Sequence, residues 1–155
     1  MRSILIFIVF FSLNFVIFGL DDLVYIKNEL ASYTSYINEC IGMEQYRKAL
    51  KGMDMKIKCI IDIFNKVDKK EEEILCYLSN KYANVCAQYV TVAKKVLSSK
   101  EVEKKVEEFE KVKILDECPY SRYIFYELIA AAFGKKHKLY KIYKRKAFLE
   151  FGKME

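Results

Sequence analysis

Apolar residues return every three or four positions along most of this chain, and no other feature constrains its fold as strongly. Leu23, Ile26, Leu30, Tyr33, Ile37 and Cys40 fall at steps of 3, 4, 3, 4 and 3, which puts them on one stripe of a helix. Tyr46, Leu50, Met53, Ile57, Ile60 and Phe64 repeat the pattern, and so do Leu75, Leu78, Tyr82, Cys86, Tyr89, Ala93 and Val96. With one Pro and five Gly in 155 residues, the chain lacks the turn residues that an all-β domain needs at short intervals. The expected class is all-α: a compact bundle of five or six mostly antiparallel helices, disulfide-stapled.

Local signals place the boundaries. The first helix is expected over 23–41, with Asp21 or Asp22 as N-cap and Gly42 as its stop. The second covers 44–66, with Gly52 inside it as a weak point. The third covers 69–97 and opens on Glu71, Glu72 and Glu73, where the helix dipole favours negative charge. Ser98 and Glu101 form a capping box for a fourth helix over 99–115, whose apolar stripe (Val102, Val106, Phe109, Val112) is narrow. Pro119 can open a fifth helix, over 120–133, which is apolar on nearly all sides apart from Glu127 and is therefore expected to be buried. Gly134 closes it, and a basic amphipathic segment, 135–151, ends the domain.

Residues 1–19, MRSILIFIVFFSLNFVIFG, read as a secretory signal peptide. Arg2 is a short positive region, the apolar run is shorter than the ~20 residues of a membrane span, and Ile17-Phe18-Gly19 fits cleavage after Gly19. The expectation is a secreted, extracellular protein with no transmembrane span after cleavage. The remaining 20–155 would be one helical domain, long enough to bury roughly two-thirds of its unfolded surface.

Five cysteines, Cys40, Cys59, Cys76, Cys86 and Cys118, suggest two bridges and one leftover thiol in an exported protein. If the second and third helices form an antiparallel hairpin turning near Val67–Asp68, Cys59 and Cys76 are level with one another, and a Cys59–Cys76 bridge is expected. The same register brings Cys40 toward Cys86 and leaves Cys118 over. Cys76–Cys118 and Cys86–Cys118 are the rival pairings, because Cys118 folds back level with about residue 79.

Several chemistries have no foothold. His137 is the single histidine and there is no CxxC, so neither a His-pair metal site nor a zinc ribbon is expected. No GxSxG, phosphate-binding loop or GxGxxG occurs. A non-enzymatic protein without a cofactor is expected. The six-cysteine hallmarks of insect odorant-binding and saposin-like proteins are missing, and no family motif is complete enough to carry residues across.

Two features point to function. Lys135, Lys136, Lys138, Lys141, Lys144, Arg145 and Lys146 lie together with no acid among them. A basic amphipathic helix here, with Leu139, Ile142 and Leu149 in another direction, could contact an anionic surface or a protein partner. The second is the aromatic fifth helix. Tyr123, Phe125, Tyr126, Ile129 and Phe133 could enclose an apolar, lipid-like small ligand. The leading expectation is a secreted binding protein acting through its basic C-terminal helix, with the apolar-ligand carrier as the alternative. Nucleic acid is not expected among its partners.

Overall fold

The structure is a computed structural model describing residues 20–153; the expected signal peptide, 1–19, lies outside the described residues. These form six α-helices and one short 3-10 helix: α1 (Leu20–Gly42), α2 (Tyr46–Phe64), α3 (Glu72–Ala93), α4 (Ser99–Glu110), the 3-10 turn (Lys113–Asp116), α5 (Ser121–Phe133) and α6 (Lys138–Phe151). No strand occurs among the described residues. α3 is the central element. It packs on α2 on one side and α5 on the other, while α1 backs onto α2 and α6 onto α5.

The apolar stripes turn inward as their spacing requires. Leu23, Ile26, Leu30, Ile37 and Cys40 of α1 are buried, as are Leu50, Met53, Ile57 and Ile60 of α2. α1 and α2 run antiparallel. Position 37 lies over Gly52, Thr34 meets Lys56, and Glu29 meets Cys59. α2 runs unbroken through Gly52. The glycine lets the two helices approach closely, since a Cβ there would stand 3.0 Å from both Ile37 Cγ1 and the Tyr36 ring. α4 covers α3 with Val102, Val106 and Phe109. The Tyr82 hydroxyl donates to the Phe109 carbonyl at 3.0 Å, and the Tyr82 and Tyr89 rings meet the Phe109 ring edge-on.

The ends of the helices carry several local devices. The expected capping box is present, with Ser98 N–H donating to Glu101 at 2.8 Å and Glu101 N–H to Ser98 Oγ at 3.4 Å. Lys94, the residue after α3, donates to the last carbonyls of α5, Ala132 and Phe133, groups that a helix end leaves open. The start of α1 differs from expectation, because the helix already includes Leu20 and Asp21 and Asp22 lie inside it. The α1–α2 turn also differs. Its left-handed residue is Glu44 (φ 57°), beyond Gly42. Backbone bonds close the turn, Glu44 N–H to Ile41 O and Gln45 N–H to Cys40 O. A side chain pays steric strain in that conformation, so Glu44→Gly raises the unfolding free energy by about 1 kcal/mol, read as a higher urea midpoint at unchanged slope.

The bundle is stapled by Cys76–Cys118, with Cα atoms 5.3 Å apart, and Cys40, Cys59 and Cys86 are free. The expected Cys59–Cys76 and Cys40–Cys86 bridges are therefore not formed, and Cys118 is not the leftover thiol. Cys59 and Cys76 face different ways. Cys59 points from α2 toward α1, its thiol 3.5 Å from a Glu29 oxygen. Cys76 lies one turn from Ser79, which donates to the Ile114 carbonyl, so that face of α3 belongs to the 113–118 segment. Cys86 is buried against Tyr82 instead of reaching Cys40.

Candidate functional site

Among the described residues, α6 exposes four large apolar side chains, Ile142, Phe148, Leu149 and Phe151, beside its basic residues. Leu139, Tyr143 and Ala147 recur at four-residue steps and are buried against the bundle. The opposite arc carries Lys141, Ile142, Arg145, Phe148 and Leu149, all exposed, with Phe148 at 74%. None of these is acidic. Leu139 faces the core as expected, but Ile142 and Leu149 do not. They share the outward arc with Arg145, because the buried line of α6 is 139/143/147. Cations and large apolar side chains are therefore interleaved on one surface rather than divided between two faces.

The basic cluster divides into two groups. Lys138 pairs with Glu103 at 3.2 Å, Lys144 with Glu127 at 2.6 Å and Lys146 with Glu110 at 2.6 Å. Lys146 also lies 4.9 Å from the Tyr143 ring centre and 5.5 Å from that of Tyr126, where a cation is attracted to the ring face. These three lysines fasten α6 to α4 and α5. Glu103 and Glu110 meet Lys138 and Lys146 in the same order, so α4 and α6 run parallel along this seam. Lys135, Lys136, Lys141 and Arg145 are exposed and form no ion pair among the described residues. They are the part of the cluster left for a partner.

His137, between these groups, does not project freely into solvent. Its Nδ1 accepts from the Leu139 N–H at 3.2 Å, capping α6, and its ring stacks on Phe133 with centres 4.8 Å apart.

The aromatic side chains of α5 pack on one another and on α6. Phe125, Tyr126, Ile129 and Phe133 are buried, and Tyr123 is half-buried. Ring centres lie 5.5 Å apart for Phe125–Tyr126, 6.2 Å for Tyr126–Tyr143 and 5.8 Å for Phe133–Tyr143, within the range of ordinary aromatic packing. Burial pushes the Tyr143 hydroxyl upward from its usual range, and the Glu110 and Glu107 carboxylates push the same way. Tyr126 also reaches an open surface depression of about 480 Å³ shared with Lys146, Phe148 and Leu149.

A second basic site escaped the sequence reading. Lys56 of α2 is buried at 8% exposure, beside Lys27 and Lys81 in a cleft bounded by α1, α2 and α3. The one sequence signal for it is Gly52, a turn before Lys56 on the same face, which lets α1 close over α2.

Among the described residues no group of three His, Cys, Asp or Glu side chains could hold a metal ion, and no helix is long and apolar enough to cross a membrane. In comparisons with known proteins, no family model, curated protein or solved structure matches this chain.

Proposed function

We propose that this chain is a secreted, non-enzymatic binding protein whose C-terminal helix, α6, contacts an anionic partner surface. The observation that carries the proposal is the outward arc of α6, where Lys141 and Arg145 alternate with Ile142, Phe148 and Leu149 and no acid intervenes. Lys135 and Lys136 extend the positive charge into the preceding turn. Cations attract the partner electrostatically, and the apolar side chains enter its less polar layer while the lysine stems stay extended. That combination suits the interface of an anionic bilayer, where buried apolar area and charge attraction add. The three ion pairs behind the arc keep α6 seated on α4 and α5 while its outer face is engaged.

The alternative, a carrier of an apolar ligand among Tyr123, Phe125, Tyr126, Ile129 and Phe133, has less support because those rings already pack on one another and on Tyr143.

The test is co-sedimentation with vesicles containing one-third anionic lipid, against neutral vesicles. The protein partitions onto the anionic vesicles, and raised salt weakens the binding. Lys141→Glu with Arg145→Glu lowers the partition constant at least about tenfold, since each cation near such a surface contributes roughly 1 kcal/mol. Phe148→Ser with Leu149→Ser lowers it by a similar factor through lost apolar burial. Lys48→Glu with Lys58→Glu, an equal charge change on exposed positions of α2, has a much smaller effect. Equal losses from the α2 and α6 variants would mean that net charge, and not this face, does the binding.

A further inference from the structure

A cleft of about 350 Å³ opens between α1, α2 and α3, on the far side of α3 from α5. Lys27, Thr34 and Asn38 line it from α1, Lys56 from α2, and Tyr77 and Lys81 from α3; no carboxylate lines it. Lys56 is nine-tenths buried. Its ammonium has three N–H groups to satisfy, and its hydrogen bond goes to Thr34 Oγ1 at 2.6 Å, a hydroxyl that donates in turn to the Leu30 carbonyl at 2.9 Å. Buried cations are ordinarily paired with an anion, because leaving water without one is costly. No ion pair to Lys56 exists among the described residues.

The two outer lysines strengthen the case. The Lys27 and Lys81 ammoniums lie 5.6 and 5.2 Å from the centre of the same Tyr77 ring. The ring attracts each of them, and both line the same cleft as Lys56. Burial, together with the charge of Lys81, favours the neutral form of Lys56, the direction that an entering anion would reverse. Three cations from three helices converge on a recess with low-dielectric walls, the arrangement that concentrates positive potential.

We infer that this cleft is a binding site for a phosphate group, carried on a small molecule, held between Lys27, Lys56 and Lys81 with the Tyr77 ring at its wall. Phosphate is favoured over a carboxylate because three cations match a dianion better than a single charge, and lysine binds phosphate as a point charge without the planar fork that arginine offers to carboxylates. Asn38 supplies a neutral amide beside it, and Thr34, whose hydroxyl hydrogen goes to Leu30, positions the Lys56 ammonium. The volume lies at the small end of ligand sites, which fits a phosphorylated metabolite better than a macromolecule. Gly52 helps to build the site, since α1 reaches Lys56 only because α1 and α2 approach so closely there.

The site is separate from the α6 surface, and its test separates the two. The probes are inorganic phosphate and pyrophosphate, titrated at constant ionic strength, with acetate as the control. Binding is followed by calorimetry and by amide chemical shifts, with the melting temperature as a third readout. Phosphate or pyrophosphate binds saturably, raises the melting temperature and shifts amides near Thr34, Lys56 and Tyr77, while acetate does none of these. Lys56→Met raises the melting temperature of the ligand-free protein, because an unpaired buried charge is gone. It also weakens phosphate binding by roughly tenfold or more, as expected for loss of a charge-assisted bond. Lys81→Gln, an exposed position that does not threaten folding, weakens binding several-fold. Lys141→Glu with Arg145→Glu leaves it unchanged. Shifts confined to α6, an equal response to acetate, or unaltered phosphate affinity in both the Lys56 and Lys81 variants would overturn the assignment.

Discussion

Cys118→Ser lowers the unfolding free energy by about 4 kcal/mol, and Cys76→Ser lowers it equally. The bridge joins residues 42 apart in sequence, and in the chain-entropy account closing a loop of that length removes ~4 kcal/mol of freedom from the unfolded chain. The native side also loses an anchor. Cys118 holds the end of the 113–118 segment against α3, where Ser79 bonds the Ile114 carbonyl, Arg122 pairs with Asp116 and Lys69 pairs with Glu117. The two single variants remove the same bond, so the double variant costs little beyond either one. Cys59→Ser stays within ~0.5 kcal/mol of the parent, as a substitution away from any staple does. Burial and the neighbouring Glu29 push the Cys59 thiol up to about 12, so it reacts slowly until the protein unfolds. Alkylation in denaturant without reductant modifies three cysteines and leaves a 76–118 cross-linked peptide in the digest. A 59–76 peptide in its place would refute the pairing, and so would a Cys59 variant as unstable as the Cys118 one.

The failure of the expected Cys59–Cys76 pairing shows where sequence reasoning reaches its limit. Distance from a turn sets the level of a residue along a hairpin, and that much is legible. Whether two side chains at one level face each other depends on the rotation of each helix about its axis. That rotation is set by packing partners elsewhere in the chain: α1 takes the Cys59 face of α2, and the 3-10 turn takes the Cys76 face of α3. The helices themselves were legible because a 3.6-residue period is a local property, and the Ser98–Glu101 box was legible because its two members are three residues apart. The left-handed Glu44 was not, since nothing in its side chain asks for a positive φ and the turn is held by backbone bonds.

The basic segment was visible as composition, but its division into structural and free cations was not. Glu103 and Glu110 lie 35 and 36 residues before their lysine partners, so the segment's lack of local acids gave no hint of them. A similar separation concealed Lys56. On a helical wheel it sits at the edge of the apolar stripe, where a lysine ordinarily extends its stem and keeps its charge in water. What buries it is α1, and α1 reaches it because position 52 carries no side chain. The lysines thus include clamps behind α6, an open field on its outer arc and a converging trio at the α1–α3 cleft. The order of residues showed the C-terminal cluster but not which of its members stay free.

Phe125→Ala costs about 3–5 kcal/mol, the range for truncating a fully enclosed phenylalanine. Phe125 has no exposed surface, lies on the helix that joins α3 to α6, and sits against the Tyr126 ring. Truncation removes apolar burial and leaves a void that the neighbouring rings, themselves packed on Tyr143, can fill only in part. The result bears on the two functional readings. If the α5 aromatics lined a ligand chamber, the chamber would already be open and alanine would change ligand affinity at small cost to the fold. If they are core, the cost falls on stability and the α6 surface still binds its anionic vesicles under folding conditions. Urea denaturation of Phe125→Ala beside Phe148→Ala supplies the comparison. Phe148 is 74% exposed, and its truncation shifts stability by no more than ~0.5 kcal/mol while weakening vesicle binding. A Phe125 variant that loses under ~1 kcal/mol would mean that the interior of α5 is not the packed core described above, and would return the apolar-ligand carrier to first place.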